Sequence, residues 1–80
     1  MSKKYPPLTC KQVKRALKKL GFTLRSQEGS HEQWVGKDLQ GKFAKVTVDC
    51  PKAPFSDDLT KWMAKQAGRT VAQLYAALND

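Results

Sequence analysis

The stretch TCKQVKRALKKLGFTLR, residues 9–25, changes its period part-way along, and that change decides the fold class. Thr9 with Gln12 three residues later forms a capping box, Leu8 and Val13 take the positions of a hydrophobic staple, and Gly21-Phe22 fits a Schellman stop. The spacing therefore predicts a helix from Cys10 to Leu20. Val13, Ala16, Leu17 and Leu20 share one face of it, while Lys11, Lys14, Arg15, Lys18 and Lys19 fill the rest with no acid at i,i+4 to pair them. One face packs and the other is cationic. After Gly21 the period becomes two: Phe22 and Leu24 alternate with Thr23 and Arg25, the mark of a strand.

Working outward, Glu28-Gly29-Ser30 reads as a turn, and a second strand covers His31 to Val35. A loop through Lys37-Asp38-Leu39-Gln40-Gly41 leads to a third strand, Lys42 to Asp49, with Ala44, Val46 and Val48 on one face. Pro51 and Pro54 bound a loop, after which Ser56 caps a second helix with Asp57 and Asp58 at its positive end. That helix directs Leu59, Trp62, Met63 and Ala67 to the core and stops at Gly68, and a second capping box, Thr70 with Gln73, opens a short last helix. Trp34 and Trp62 are read as core, Phe43 and Tyr75 as the more open aromatics. The order α-β-β-β-α plus a short C-terminal helix predicts an α+β fold, a three-stranded antiparallel sheet with helices packed on one face. Residues 1–80 form one domain, with residues 1–8 as a flexible basic N-terminal arm.

Charge narrows the partners. Residues 1–27 hold eight bases and no acid, whereas residues 28–80 hold seven of each, so the whole net charge of +8 sits in the first third of the chain. Such asymmetry points to a polyanion, nucleic acid or an acidic protein, and away from a neutral metabolite. No apolar run is long enough for a membrane span and MSKKYPPL lacks the apolar region of a signal peptide, so a cytoplasmic protein with no membrane partner is expected. Cys10 and Cys50 form no C-x-x-C pair, and two partly buried reduced thiols are the expectation.

Chemistry converges on His31, the one histidine of the chain. A lone imidazole with scattered acids does not make a metal site, so neither a metal nor another cofactor is expected. It can serve as a general base, because imidazole titrates near neutrality. His31 has the opposite strand parity to Trp34; with Trp34 directed to the core, His31 is directed away from it.

The run Leu17-Lys18-Lys19-Leu20-Gly21-Phe22, the triplet Gly29-Ser30-His31 with Trp34 three residues on, Val46-Thr47-Val48 leading to Pro51, and Lys65-Gln66-Ala67-Gly68 together resemble the HicA family, toxins of HicA/HicB toxin-antitoxin pairs. The resemblance covers residues 10–70 and implies a fold like a double-stranded-RNA-binding domain. It also implies ribosome-independent endonucleolytic cleavage of mRNA by the triplet histidine, His31, and inhibition by a HicB-like antitoxin. The chain departs from the usual pattern in placing Pro51 after Asp49 and Cys50, in lacking a second His near it, and in having Asp57-Asp58-Leu59 where Gly-Thr-Leu is usual, so the acid that partners His31 is left open. The expected RNA-binding residues are Gly29 and Ser30, through their backbone N–H groups, with Lys11, Lys14, Arg15, Lys18, Lys19 and Arg25. The competing reading is a non-catalytic RNA-binding module of the same fold, in which His31 is a surface residue.

Overall fold

The structure, a computed structural model, describes residues 6–79. Helix α1, Cys10–Lys19, begins as its caps require: Thr9 Oγ1 accepts the Gln12 N–H at 3.2 Å, and the Gln12 side chain accepts the Thr9 N–H at 2.9 Å. Its end is a Schellman motif, with Phe22 N–H donating to Leu17 O at 2.9 Å and Gly21 N–H to Lys18 O at 3.0 Å. Gly21 supplies the left-handed backbone at φ +92°. That turn delivers Phe22 into the core, where its ring lies against Gly36. A Cβ at Gly36 would stand 2.8 Å from the ring, so close approach, not backbone conformation, calls for glycine there.

Strands β1 (Thr23–Glu28), β2 (His31–Lys37) and β3 (Phe43–Asp49) form an antiparallel sheet in the order β1-β2-β3. The first hairpin is longer than the sequence reading has it. Its strand runs on to Glu28, because Gly29 at φ +59° permits a two-residue Gly29-Ser30 turn that pairs Glu28 with His31. The pairing slips between Leu24 and Ser26, where Arg25 is the extra residue of a bulge. The second loop is tied by Asp38, whose carboxylate accepts the N–H groups of Gln40 and Lys42 at 2.9 Å each. These bonds, that from Lys42 foremost, hold the Asp38 carboxyl below its ordinary value.

Alternation sets the two faces of the sheet. Glu32, Trp34, Ala44, Val46 and Val48 are buried on the inner face with Val13, Ala16 and Leu17 of α1, whereas His31, Gln33, Val35 and Phe43, Lys45, Thr47, Asp49 point outward. Helices α2 (Asp57–Gln66) and α3 (Val71–Leu78) complete the inner layer, with Ser56 and Thr70 as their caps. The α+β architecture with one open sheet face is thus the one expected from the order of elements.

Three expectations are corrected. Trp62 is 57% exposed, because the buried stripe of α2 runs through Thr60, Met63 and Ala64 and leaves Trp62 on the opposite side of the helix. Tyr75 is buried, and its hydroxyl donates to Pro6 O at 2.6 Å. Cys10 and Cys50 are joined as a disulfide instead of standing as two thiols; packing α1 beside the end of β3 brings their Cα atoms to 5.1 Å across 40 residues of sequence. Of the expected N-terminal arm, residues 1–5 lie outside the described residues. Leu8, by contrast, is buried and its carbonyl accepts the Phe55 N–H at 2.9 Å, so the chain is held to the body at this point.

Candidate functional site

The site is built on the first residue of β2. His31 follows the two-residue turn and points outward, its side chain 55% exposed. Directly across the β2/β3 ladder stands Asp49, the last residue of β3. His31 Nε2 and Asp49 Oδ2 are 3.1 Å apart, and Asp49 Oδ1 accepts the Ser30 hydroxyl at 3.2 Å. Asp49 is thereby held by two consecutive residues of one hairpin, and its side chain is only 20% exposed. The next outward pair continues the polar ladder, with Thr47 Oγ1 donating to Gln33 Oε1 at 2.9 Å and the Thr47 N–H reaching Gln66 Oε1 at 3.3 Å.

An imidazole backed by a carboxylate, which a hydroxyl holds from its other oxygen, can take up a proton on an open sheet face. The carboxylate orients the ring and stabilises its positive charge when it accepts a proton. Gly29 and Ser30 bring their backbone N–H groups to the same turn.

The expected basic residues are not gathered around this ring. Helix α1 covers the inner face of the sheet, so its exposed side chains and His31 belong to opposite sides of a two-layer molecule. Lys14 donates to Glu32 Oε2 at 3.1 Å, and Lys18 Nζ lies 6.0 Å from the centre of the Trp34 ring. These two lysines border a groove between α1 and the sheet that is also lined by Leu24, Gln27, Glu32 and Trp34. Lys11, Arg15 and Lys19 are on the exposed surface of α1, and Arg25 is exposed at the bulge.

Glu32 is the second functional-type residue that the sequence reading passed over. Its carboxylate is 8% exposed and also accepts Trp34 Nε1–H at 3.1 Å. Ligand-type atoms of Glu32, Cys10 and Cys50 lie within 4.8 Å of one another. With the two sulfurs bonded to each other and Lys14 on the carboxylate, this cluster as it stands is an ion-paired structural site.

Residues 10–73 match the protein family described as the HicA toxin of bacterial toxin-antitoxin. The chain belongs to this family. The match runs from the first residue of α1 into α3 and contains the whole sheet, including the Gly29-Ser30-His31 turn and Asp49. No curated protein and no solved structure matches the chain. Membership in the HicA toxin family makes a toxin role, with an antitoxin as partner, the functional frame for the site. Among the described residues no helix is long and apolar enough to cross a membrane.

The sequence signal for Asp49 was its place at the end of β3. The signal for Glu32 was a charged residue at the inward parity of β2, two positions before Trp34.

Proposed function

We propose that this HicA-family toxin is an endoribonuclease that cleaves mRNA in the cytoplasm without a metal ion, using His31 as general base, and that a HicB-like antitoxin silences it. The observation that carries the reading is the exposed His31 ring on the Asp49 carboxylate, at the turn that follows the first strand of a toxin-family domain. His31 takes the proton of a ribose 2′-OH, the 2′ oxygen attacks the adjacent phosphorus, and the bond from phosphorus to the 5′ oxygen breaks. The products are a 2′,3′-cyclic phosphate and a 5′-OH, the leaving oxygen taking its proton from water and His31 returning its own to solvent. Gly29 and Ser30 N–H groups stabilise the phosphate charge at the turn. The exposed bases Lys11, Arg15, Lys18 and Lys19, with Lys14 at the groove, lie on the other side of the sheet. They act as a field that concentrates RNA on the molecule and not as ligands of the phosphate under attack.

General acid–base catalysis of this kind contributes roughly 10²–10⁴-fold. The test is incubation of labelled mRNA with the protein in excess chelator, comparing wild type with His31→Ala and His31→Gln. Chelator-resistant shortening of the RNA that both substitutions abolish, with antitoxin binding intact, is the expected result. A folded His31→Ala variant that still arrests growth as fully as wild type would refute it. RNA retained but never shortened by wild type would establish the non-catalytic binding module instead.

A further inference from the structure

We infer that Asp49 is the positioning residue of the site: by holding Nε2 of His31 it assigns the proton-accepting role to Nδ1. The inference rests on the proposed ribonuclease reading for its catalytic consequence, and on geometry alone for the assignment of the nitrogens. A carboxylate oxygen accepts and does not donate, so the 3.1 Å contact between Nε2 and Asp49 Oδ2 places the ring hydrogen of the neutral imidazole on Nε2. The lone pair then resides on Nδ1, which has no partner among the described residues and belongs to a half-exposed side chain on the open face. A free neutral histidine exchanges between its two tautomers with only a modest preference for the hydrogen on Nε2, and here the cross-strand contact fixes that choice.

Three features keep the carboxylate in place. His31 and Asp49 are directly paired in the ladder, so their Cβ atoms are held at the short cross-strand distance. The Ser30 hydroxyl occupies Oδ1, which leaves Oδ2 for the ring. Cys50, the next residue, is bonded to Cys10 at the start of α1, which anchors the chain immediately after Asp49. During the reaction the proton moves from the ribose 2′-OH to Nδ1, and the resulting imidazolium is paired with the Asp49 carboxylate through Nε2–H. Asp49 itself stays unprotonated and touches neither the ribose nor the phosphate.

The experiment combines ring-nitrogen NMR of ¹⁵N-histidine-labelled protein with single-turnover RNA cleavage, on wild type, Asp49→Asn and Ser30→Ala. Because the chain has one histidine, its two ring nitrogens are read without overlap. In wild type at a pH where the ring is neutral, Nε2 should give the protonated-nitrogen signal and Nδ1 the unprotonated one. In Asp49→Asn the bias should fall to a mixture, since an amide can donate to Nε2 as well as accept from it. Cleavage by that variant should drop about 10–100-fold in rate with RNA affinity within about threefold, less than the ~10⁴-fold loss known for a fully buried acid of this kind, because this pair is partly open to water. Ser30→Ala, a smaller perturbation that leaves the ladder intact, should give an intermediate loss in rate. A wild-type ring protonated on Nδ1, or a folded Asp49→Asn that cleaves at the wild-type rate, would overturn the assignment. Absence of any cleavage by wild type would instead overturn the ribonuclease reading, while the nitrogen signals would still decide whether Asp49 sets the tautomer.

Discussion

Replacing Lys14 with Met separates the structural use of a basic side chain from its use in holding RNA. Lys14 Nζ is 3.1 Å from Glu32 Oε2, with the lysine side chain 33% exposed and the glutamate 8% exposed. Lys14→Met keeps most of the aliphatic stem and removes the charge, so that among the described residues the Glu32 carboxylate is left with Trp34 Nε1–H as its donor. Breaking one side of a fully buried ion pair costs about 3–5 kcal/mol, and losing a hydrogen bond to a charged group about 1.5–3 kcal/mol. Because a third of the lysine is open to solvent, water replaces part of what is lost, and the lower range applies: about 2 kcal/mol. With an unfolding entropy near 2.1 cal/mol/K per residue, a chain of this length should lose about 12 °C in Tm. Urea unfolding and a thermal melt measure both quantities. The double variant Lys14→Met/Glu32→Gln should recover most of the loss, since a neutral amide can accept from Trp34 without needing a counter-charge. A single variant within about 0.5 kcal/mol of wild type, or no coupling in the double-mutant cycle, would mean that Lys14 does not stabilise the Glu32 carboxylate.

Four further outcomes follow from the same contacts. Gly36→Ala should destabilise by about 1–2 kcal/mol in urea unfolding, because the new methyl would meet the buried Phe22 ring at 2.8 Å and overpacking outweighs the smaller gain from a stiffer unfolded chain. Cys50→Ser, or reduction of the wild type, should lower stability by about 4 kcal/mol, the loop-closure value for a link across 40 residues, read from the urea midpoint under oxidising and reducing conditions. Lys11→Ala and Arg15→Ala should each reduce the salt dependence of RNA retention by about one unit of slope while leaving single-turnover cleavage of bound RNA unchanged, as expected of side chains on the far side of the sheet from His31. Asp38 has a lowered folded-state pKa, so its contribution is complete above the ordinary carboxylate value and disappears as pH falls through the folded one. Asp38→Ala should therefore be less stable than wild type at pH 7, and the gap should narrow as pH falls through the lowered folded-state value.

Local chemistry made most of the elements legible. The two capping boxes and the Ser56 cap occur where the sequence places them, because a cap depends on residues three positions apart. The outward direction of His31 was legible for a similar reason, since parity along a strand is a local property. Trp62 shows where this reading stops. Its apolar character suggested burial, but a helix with two candidate stripes is turned by whatever it packs on, and β3 with α3 selected the stripe through Thr60 and Ala64.

The partner of His31 depended on a one-residue shift of a five-residue loop, from 37–41 to 38–42. A loop taken as residues 37–41 would set Gly36 opposite Lys42, and hence Thr47 opposite His31. The observed ladder instead pairs Lys37 with Phe43 and His31 with Asp49. The difference lies in Lys42, which is drawn into the loop by the Asp38 carboxylate and by the 2.8 Å bond from Asp38 N–H to Lys42 O.

From its amino acids alone the chain specified where helices begin and end, which parity of β2 and of β3 faces the core, where its positive charge is concentrated, and that a single imidazole stands on the open face. Tertiary structure decided that this imidazole meets Asp49, that Lys14 pairs with Glu32 away from the His31 face, and that Cys10 finds Cys50. The physical reason is separation along the chain. Caps and periodicity act within one or two turns of backbone, whereas His31–Asp49 and Lys14–Glu32 are each 18 residues apart and the cysteines 40, and such contacts exist only once the β2/β3 register and the seat of α1 are set.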